Sequence, residues 1–467
     1  MLTPLRILLL PAFLAALLPS ALSAAPDGAT ASGVASQSAR APAGPAGRPV
    51  LPLVYRARGV AAACRNPGEL HTEVADRAVI HYARTGPDAV PAADRDRSGV
   101  PDYVECTAAA VSRALAIHEA LGFRMPSPDR AGGDGRPDVY LVRRPLPGGR
   151  ALGRVLADRA GAHYMRLSTR LGPSRPPVKR DALDASRLQG LWWVASHEAF
   201  HLVQSAYLPV ARIPRWIAEG TADVGMLSAL YDRKPTDEYF GLADTWASQS
   251  WRSLTSTADC RTVRCYGGFV FWVAVEEFLY TGPGSPTKAL LEALAEARRA
   301  GRPIGSGAAL LDQVLRERFS SSLDLVMVRL FVNKGILRRV TPYPEADRLG
   351  AAAAAPVATT FAAQPVSATR LPVAVPAAAA GATVVITVRS DLRALYPLLH
   401  LGRPEEYVTL ADHDEATGTW TYRVPPTYDP SRCGGGACAR GALDLVVLNT
   451  FNRPASYTVT VGLEGPS

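Results

Sequence analysis

Short apolar runs of strand length give way, along the chain, to longer stretches with the 3.6-residue periodicity of helices. The strand-like runs span residues 79–83, 138–142 and 162–168. The helix-like segments span residues 103–121, 186–207, 214–231 and 267–280. Because strands come first and helices dominate afterwards, this order predicts an α+β domain over residues 51–349, with a small N-terminal sheet and a helical C-terminal part.

The C-terminal part of the chain alternates apolar and polar residues, the pattern of half-buried strands. Such runs span residues 383–388, 419–424, 443–448 and 456–461. Their spacing predicts an all-β, sandwich-like domain over residues 376–467. The segment 350–375 before it is rich in Ala, Pro and Thr and predicts a linker between the two domains.

The N-terminus has the layout of a secretory signal. Arg6 precedes an apolar run from Ile7 to Leu18, which is too short to span a bilayer. Residues 1–25 therefore predict a cleaved signal peptide, and residues 26–50, rich in Ala, Gly, Ser and Pro, predict a flexible leader. We expect a protein that is secreted to the extracellular space or periplasm and has no transmembrane segment.

Six cysteines agree with an oxidising compartment. The disulfides that we expect are Cys64 with Cys106, Cys260 with Cys265, and Cys433 with Cys438. The last two pairs would close small loops, and the first pair follows from them by elimination. This is one of the fifteen connectivities that six cysteines permit, and no Cys-x-x-Cys spacing favours metal binding instead.

The net charge of +9 comes mostly from scattered arginines. No block of basic residues occurs, and no basic motif is interleaved with aromatic residues. Nucleic acid is therefore a poor candidate partner, and the charge supports only a mild attraction to anionic surfaces.

The strongest chemical signal is the run His197-Glu-Ala-Phe-His201 inside a helix-like segment. On a helix, residues i and i+4 share one face, so both imidazoles can reach one metal ion. Glu198 then lies beside that ion without binding it. In zinc hydrolases with this spacing, the metal activates a water molecule and the glutamate takes its proton.

The third ligand decides the class of enzyme. One zinc-peptidase pattern continues with Gly three and His six residues after the second histidine, but Gln204 and Tyr207 occupy those places. Glu219 follows His201 by 18 residues, in the next helix-like segment, and supplies a carboxylate instead. Asp223 lies one turn after Glu219 and can accept the free ring N–H of a metal-bound histidine.

A buried polar network without metal is the alternative interpretation of the same residues. Apolar neighbours predict that the first helix is largely buried; they include Leu191, Trp192, Val194, Phe200 and Leu202. Buried imidazoles and carboxylates are costly without a partner, and a metal ion removes that cost.

Residues 186–231 resemble the gluzincins, the thermolysin-like zinc metallopeptidases with a Glu as third ligand. The resemblance implies zinc ligands at His197, His201 and Glu219, a general base at Glu198 and an orienting role for Asp223. It also implies a zincin-like fold for the catalytic domain. More widely, Gly99-Val-Pro-Asp-Tyr-Val-Glu105 followed by the zinc helix resembles a family of secreted bacterial metallopeptidase-like proteins, over about residues 70–280.

Hydrolases of this type often add a Tyr or His that donates to the oxyanion of the transition state. Tyr266 is our candidate, because the glycines that follow it allow close approach of a substrate. His163 is a second candidate. Packing is the alternative role for an aromatic residue just before a helix.

A second oxygen-rich segment has the spacing of a calcium-binding loop. Counted from Asp94, side-chain oxygens fall at positions 1, 3, 5, 9 and 12, which are Asp94, Asp96, Ser98, Asp102 and Glu105. The carbonyl of Val100 falls at position 7. Two interspersed arginines and Pro101 depart from the standard loop, so a plain Asp-rich turn remains the alternative.

The sequence therefore predicts a secreted zinc metalloendopeptidase that acts on peptide or protein substrates, with Zn²⁺ as cofactor and Ca²⁺ as a further candidate ion. No motif for binding a free substrate amine supports an aminopeptidase. The alternative from another class is a calcium-stabilised secreted binding or adhesion protein whose zinc site is structural or inactive.

Overall fold

The fold is taken from a computed structural model and concerns seventeen segments of the chain. These are residues 51–56, 77–128, 135–145, 152–158, 161–171, 185–230, 237–250, 252–256, 268–279, 286–333, 357–374, 382–390, 395–400, 407–408, 412–424, 442–450 and 453–464. The predicted signal peptide 1–25, the predicted leader 26–50 and Tyr266 lie outside them.

Secondary structure follows the expected order of strands, helices and strands. The N-terminal strands are β1 (Leu53–Arg56), β2 (Val79–Tyr82), β3 (Asp138–Val142), β4 (Gly153–Ala157) and β5 (His163–Ser168). The helices are α1 (Asp102–Ala120), α2 (Ala185–Ser205), α3 (Arg215–Ala229), α4 (Asp237–Ser248), α5 (Phe269–Phe278), α6 (Pro286–Arg299), α7 (Ala308–Phe319) and α8 (Leu323–Asn333). The C-terminal strands are β6 (Val357–Ala363), β7 (Ser367–Ala374), β8 (Thr383–Ser390), β9 (Leu395–His400), β10 (Tyr407–Val408), β11 (Asp412–Asp414), β12 (Thr419–Val424), β13 (Ala442–Asn449) and β14 (Ala455–Glu464).

The chain divides into two compact units. The first comprises Met1–Ile213, Thr221–Pro235 and Thr281–Ala295. The second comprises Pro214–Gly220, Thr236–Tyr280 and Glu296–Ser467. Helix α3 therefore contributes residues 215–220 to the second unit and residues 221–229 to the first.

A five-stranded sheet in the order β1-β2-β3-β5-β4 organises the first unit. The central strands β2, β3 and β5 run parallel, while β1 and β4 run antiparallel to their neighbours. All five residues of β3 are buried, as expected for a parallel strand covered on both faces. Strand β4 pairs with β5 and is the edge strand of this sheet among the described residues.

Helices α1 and α2 pack against each other, and α2 also packs against β4 and β5. Between the two helices, the ring of His118 makes edge contacts with Phe123 and Phe200. On α3, Gly225 faces Phe200 so closely that a Cβ atom there would overlap the ring. The glycine therefore lets α3 approach α2 more closely than any other residue would allow.

In the second unit, aromatic residues hold the start of α3 to α5. Trp216 stacks on Trp272 with ring centroids 5.1 Å apart, and the indole N–H of Trp216 donates to the Ser306 carbonyl over 2.7 Å. Backbone bonds also join the segment after α4 to the strands: Leu254 N–H donates to Val366, and Ala368 N–H donates to Ser250.

Two antiparallel sheets form the C-terminal part of the second unit. Their strand orders are β10-β9-β13-β7 and β11-β12-β8-β14-β6. One hydrophobic core takes buried side chains from both sheets, including Ile386, Tyr422 and Tyr457 from one and Leu371 and Leu445 from the other. The two sheets thus share one core, and the sandwich-like domain stays a prediction.

The predicted linker at 350–375 is wrong over most of its length. Residues 357–363 and 367–374 form β6 and β7, which pair with β14 and β13. Phe361, Val366 and Leu371 are almost completely buried. Small Ala and Thr residues at alternate positions let these strands pack, so a composition typical of a linker concealed two strands of a sheet.

Cys106 lies buried in α1 and is disulfide-bonded. The other five cysteines lie outside the described residues, so the three pairings stay predictions. No helix within the described segments combines the length and the apolar character needed to cross a membrane.

We expect the buried His118 to make the stability of the protein depend on pH. Its burial is complete and lowers its pKa from 6.5 to about 3. Among the described residues, neither ring nitrogen has a hydrogen-bond partner. Between these two pKa values the unfolded chain binds a proton that the folded chain does not, so stability falls as the pH falls through this window.

Lowering the pH from 7 to 5 should cost the wild type about 2 kcal/mol of unfolding free energy through this residue alone. His118→Leu should remove that contribution, as measured by urea unfolding of metal-stripped protein at both pH values. The exposed His413→Leu serves as the matched control. Equal pH dependence in the wild type and His118→Leu would contradict the prediction.

Candidate metal centre

Two histidines on one face of α2 form the core of the site. The rings of His197 and His201 lie 4.7 Å apart between centroids and are nearly perpendicular, at 85°. Both residues are buried, with 9% and 6% of their surface exposed. The helix thus presents two imidazoles to the same small volume, as the four-residue spacing predicts.

Each imidazole is held through its Nδ1 atom. Nδ1 of His197 lies 2.8 Å from Oδ1 of Asp223, and Nδ1 of His201 lies 2.7 Å from Oε1 of Gln204. Because a carboxylate and an amide oxygen only accept, each ring donates from Nδ1. Each neutral ring therefore keeps the lone pair of its Nε2 atom for a metal.

Gln204 connects α2 to α3. Its Nε2 atom donates to the hydroxyl of Thr221 over 2.8 Å, while its oxygen accepts from His201. Both Gln204 and Thr221 have no exposed surface. The resulting chain of hydrogen bonds fixes the orientation of His201 against the helix that carries Glu219 and Asp223.

Glu219 completes a group with metal-ligating chemistry. One of its carboxylate oxygens and one ring nitrogen of each histidine lie within 4.8 Å of one another. Oε1 of Glu219 also lies 3.5 Å from Nε of the half-exposed Arg215 on the preceding turn. Two imidazoles and one carboxylate are the ligand set of catalytic zinc sites that keep a position open. The residues present thus fit a zinc ion.

Glu198 lies against the edge strand of the sheet. Only 6% of its surface is exposed. A Cβ atom added to Gly153 on β4 would lie 2.5 Å from Cγ and 2.7 Å from Oε1 of Glu198. The absence of a side chain at Gly153 is therefore what gives this carboxylate its room beside the metal-ligating group.

The structure brings together five of the residues that the sequence assigned to the site. Asp223 contacts His197 as expected, and Glu198 follows His197 directly in the sequence of α2.

Tyr266 is outside the described residues, so its role stays a prediction. His163 begins β5 opposite Ala157, and burial lowers the pKa of its ring. It does not belong to the group formed by His197, His201 and Glu219.

Sequence reasoning missed Gln204, Thr221 and Gly153. Gln204 served only to exclude another ligand pattern, although its position three residues after His201 already placed it on the same helix face. The sequence could not predict the role of Gly153, because that role depends on its contact with Glu198, a residue 45 positions away.

The second predicted site also gathers its acidic residues. Carboxylate oxygens of Asp94, Asp96 and Asp102 lie within 4.8 Å of one another. Burial, together with the negative charges of these three aspartates, raises the pKa of Glu105 to about 7, against a hydrogen bond from Ser98 that lowers it. Burial likewise raises the pKa of Asp102.

Replacing the partner of His201 should weaken metal binding without unfolding the protein. Gln204→Met keeps the length of the side chain but removes both hydrogen bonds, so we expect zinc affinity to fall by about 10- to 100-fold. Competition with a chromophoric chelator measures the affinity, and circular dichroism checks the fold. The exposed Gln313→Met is the control; equal zinc affinity in Gln204→Met and wild type would contradict the role of Gln204.

Comparisons with known proteins give no information about the function of this chain. The chain matches no family model, no curated protein and no solved structure.

Proposed function

We propose that this protein is a secreted zinc-dependent metalloendopeptidase of the gluzincin type. The observation that carries the proposal is the grouping of His197, His201 and Glu219 within 4.8 Å, with Glu198 on the same helix as the two histidines. The resemblance of residues 186–231 to gluzincins supports it. A polar network without metal is the alternative, but two imidazoles and a carboxylate at this spacing are the ligand set of catalytic zinc sites.

The chemistry divides between the metal and the side chains of this chain. A zinc ion held by His197, His201 and Glu219 would polarise the scissile carbonyl and lower the pKa of an attacking water molecule. The carboxylate of Glu198 accepts the proton of that water and later gives it to the leaving amine nitrogen. Peptide hydrolysis then needs no covalent intermediate on the protein.

The neighbouring side chains prepare the site before substrate arrives. Asp223 and Gln204 fix both rings in the tautomer whose lone pair lies on Nε2. Burial of the group excludes bulk water, so the charges act in surroundings of low dielectric constant. The site therefore pays little reorganisation energy during the reaction.

Strand β4 offers a surface for the substrate. It is the edge strand of the sheet in the part of the chain that the structure describes, and its first residue, Gly153, contacts Glu198. An extended peptide that pairs with this edge would gain main-chain hydrogen bonds and run past the proposed base. This arrangement favours an endopeptidase, which binds substrate on both sides of the scissile bond.

The other expectations from the sequence enter as parts of the same proposal. The parallel sheet with an antiparallel edge strand, followed by the paired helices α2 and α3, supports a zincin-like catalytic domain. The predicted signal peptide supports export, and the C-terminal sheets support a sandwich-like domain that lies outside the catalytic residues.

Removal of the proposed base should abolish turnover and spare the metal. For Glu198→Gln we expect kcat on a peptide library to fall by about 10²- to 10⁴-fold, because the variant cannot take a proton from water. Zinc content should stay near one ion per chain. Mass spectrometry of cleaved peptides and metal analysis provide the two measurements, with the exposed Glu317→Gln as the control.

The same library separates the competing functions. Cleavage of peptides with blocked termini supports an endopeptidase, and cleavage restricted to peptides with a free amine supports an aminopeptidase. If the zinc-loaded wild type cleaves no peptide, the binding or adhesion protein with an inactive zinc site becomes the better interpretation. Full activity of Glu198→Gln would remove this residue as the base.

A methyl group at position 153 should disturb catalysis more than metal binding. In Gly153→Ala the new Cβ would overlap Glu198, so either the base or the edge strand must move. Displacement of a catalytic group by about 1 Å can cost about 100-fold in rate, and we expect kcat to fall by roughly 10- to 100-fold.

Zinc content of Gly153→Ala should match the wild type, since position 153 faces the base and not the histidines. Ala157→Ser, at the exposed far end of the same strand, is the control. Unchanged kcat in Gly153→Ala would show that the contact with Glu198 has no part in catalysis.

A further inference from the structure

The loop before α1 brings carboxylate oxygens of Asp94, Asp96 and Asp102 within 4.8 Å of one another. Asp94 accepts the backbone N–H groups of Ser98 and Gly99, each over 3.0 Å, and so folds the loop back on itself. Asp102, the first residue of α1, accepts the backbone N–H of Arg95 over 2.9 Å. These contacts hold the loop closed but do not neutralise its charge.

Glu105 provides an independent sign of a missing ligand. It lies in the first turn of α1 with only 5% of its surface exposed. Its Oε2 atom is buried and has no hydrogen-bond partner among the described residues. The charges of Asp94, Asp96 and Asp102 all act on this carboxylate, so it faces the same cluster. A buried carboxylate oxygen without a partner is costly unless a cation binds it.

Nearby arginines compensate this charge only in part. The Nε atom of Arg95 lies 3.1 Å from Oδ2 of Asp102, but about half of the Arg95 side chain is exposed and its charge is screened by solvent. Arg84 donates to the carbonyl of Gly99 at the outer side of the loop. The buried Oε2 atom of Glu105 still has no hydrogen-bond partner among the described residues.

We propose that residues 94–105 bind a calcium ion, with ligands from Asp94, Asp96, Asp102, Glu105, Ser98 and the carbonyl of Val100. All of these donors are oxygens, and calcium takes six to eight oxygen ligands in flexible geometry, whereas magnesium demands a near-ideal octahedron. The nearby arginines weaken the site, so we expect a dissociation constant on the order of 10⁻⁴ M, as in extracellular calcium modules.

Calcium at this loop would stabilise the helices that carry the candidate metal centre. The loop leads directly into α1, which packs against α2. From α1, the guanidinium of Arg113 donates to the carbonyl of Ala229 at the end of α3 over 3.0 Å. An ion that orders the start of α1 therefore supports both helices of the centre without touching it. The calcium site does not depend on the proposed peptidase activity.

Calcium titration of the full chain tests the proposal. The protein is stripped of metal, reloaded with one equivalent of zinc and titrated with calcium by calorimetry and thermal melting. We expect one calcium ion per chain and a rise in melting temperature of roughly 5 °C at saturating calcium. Asp96→Asn and Glu105→Gln should each weaken calcium binding by about tenfold or more, and the control Glu119→Gln at the other end of α1 should bind as wild type does.

Three results would overturn the proposal. They are no calcium binding by the wild type at about 10 mM calcium, wild-type affinity in both Asp96→Asn and Glu105→Gln, and magnesium affinity equal to that for calcium. Should the buried Glu105→Gln fail to fold, Asp96→Asn decides alone, because Asp96 is exposed and its replacement leaves the core intact.

Discussion

The contact on which the rest of this structure depends is the hydrogen bond between His197 on α2 and Asp223 on α3. It is a buried link of 2.8 Å between two helices, and the bonds from Gln204 to His201 and Thr221 reinforce it. These links join α2 to the helix that carries Glu219, whose carboxylate lies within 4.8 Å of a ring nitrogen of each histidine. The same bonds determine which ring nitrogen carries the lone pair that can bind a metal.

Small residues let the polar groups of the site come together. Gly225 allows Phe200 to pack under α3, and Gly153 leaves room for the carboxylate of Glu198. In both places a single added carbon would overlap a side chain in a region already packed at the density of a protein interior. The geometry of the candidate metal centre therefore depends as much on missing side chains as on the charged ones.

Helix α1 contributes to the candidate calcium loop and packs against α2, which carries His197 and His201. Its start carries Asp102 and Glu105, its middle donates from Arg113 to Ala229, and its end buries His118 against Phe200 on α2. Buried polar groups along one helix cost stability unless each has a partner. Arg95 partners Asp102, and the carbonyl of Ala229 partners Arg113, while burial lowers the pKa of His118 and keeps its ring neutral.

The sequence by itself determined the features that repeat within a few residues. The spacing of His197 and His201 placed both rings on one helix face, and alternation at 383–388 and 419–424 marked β8 and β12. Only the tertiary structure decided what depends on distant segments: Gly153 against Glu198, Gln204 against Thr221, and the pairing of β6 and β7 in place of a linker. Periodicity is a local property of the chain, whereas the partner of a residue is chosen by packing between elements that the sequence separates by tens of residues.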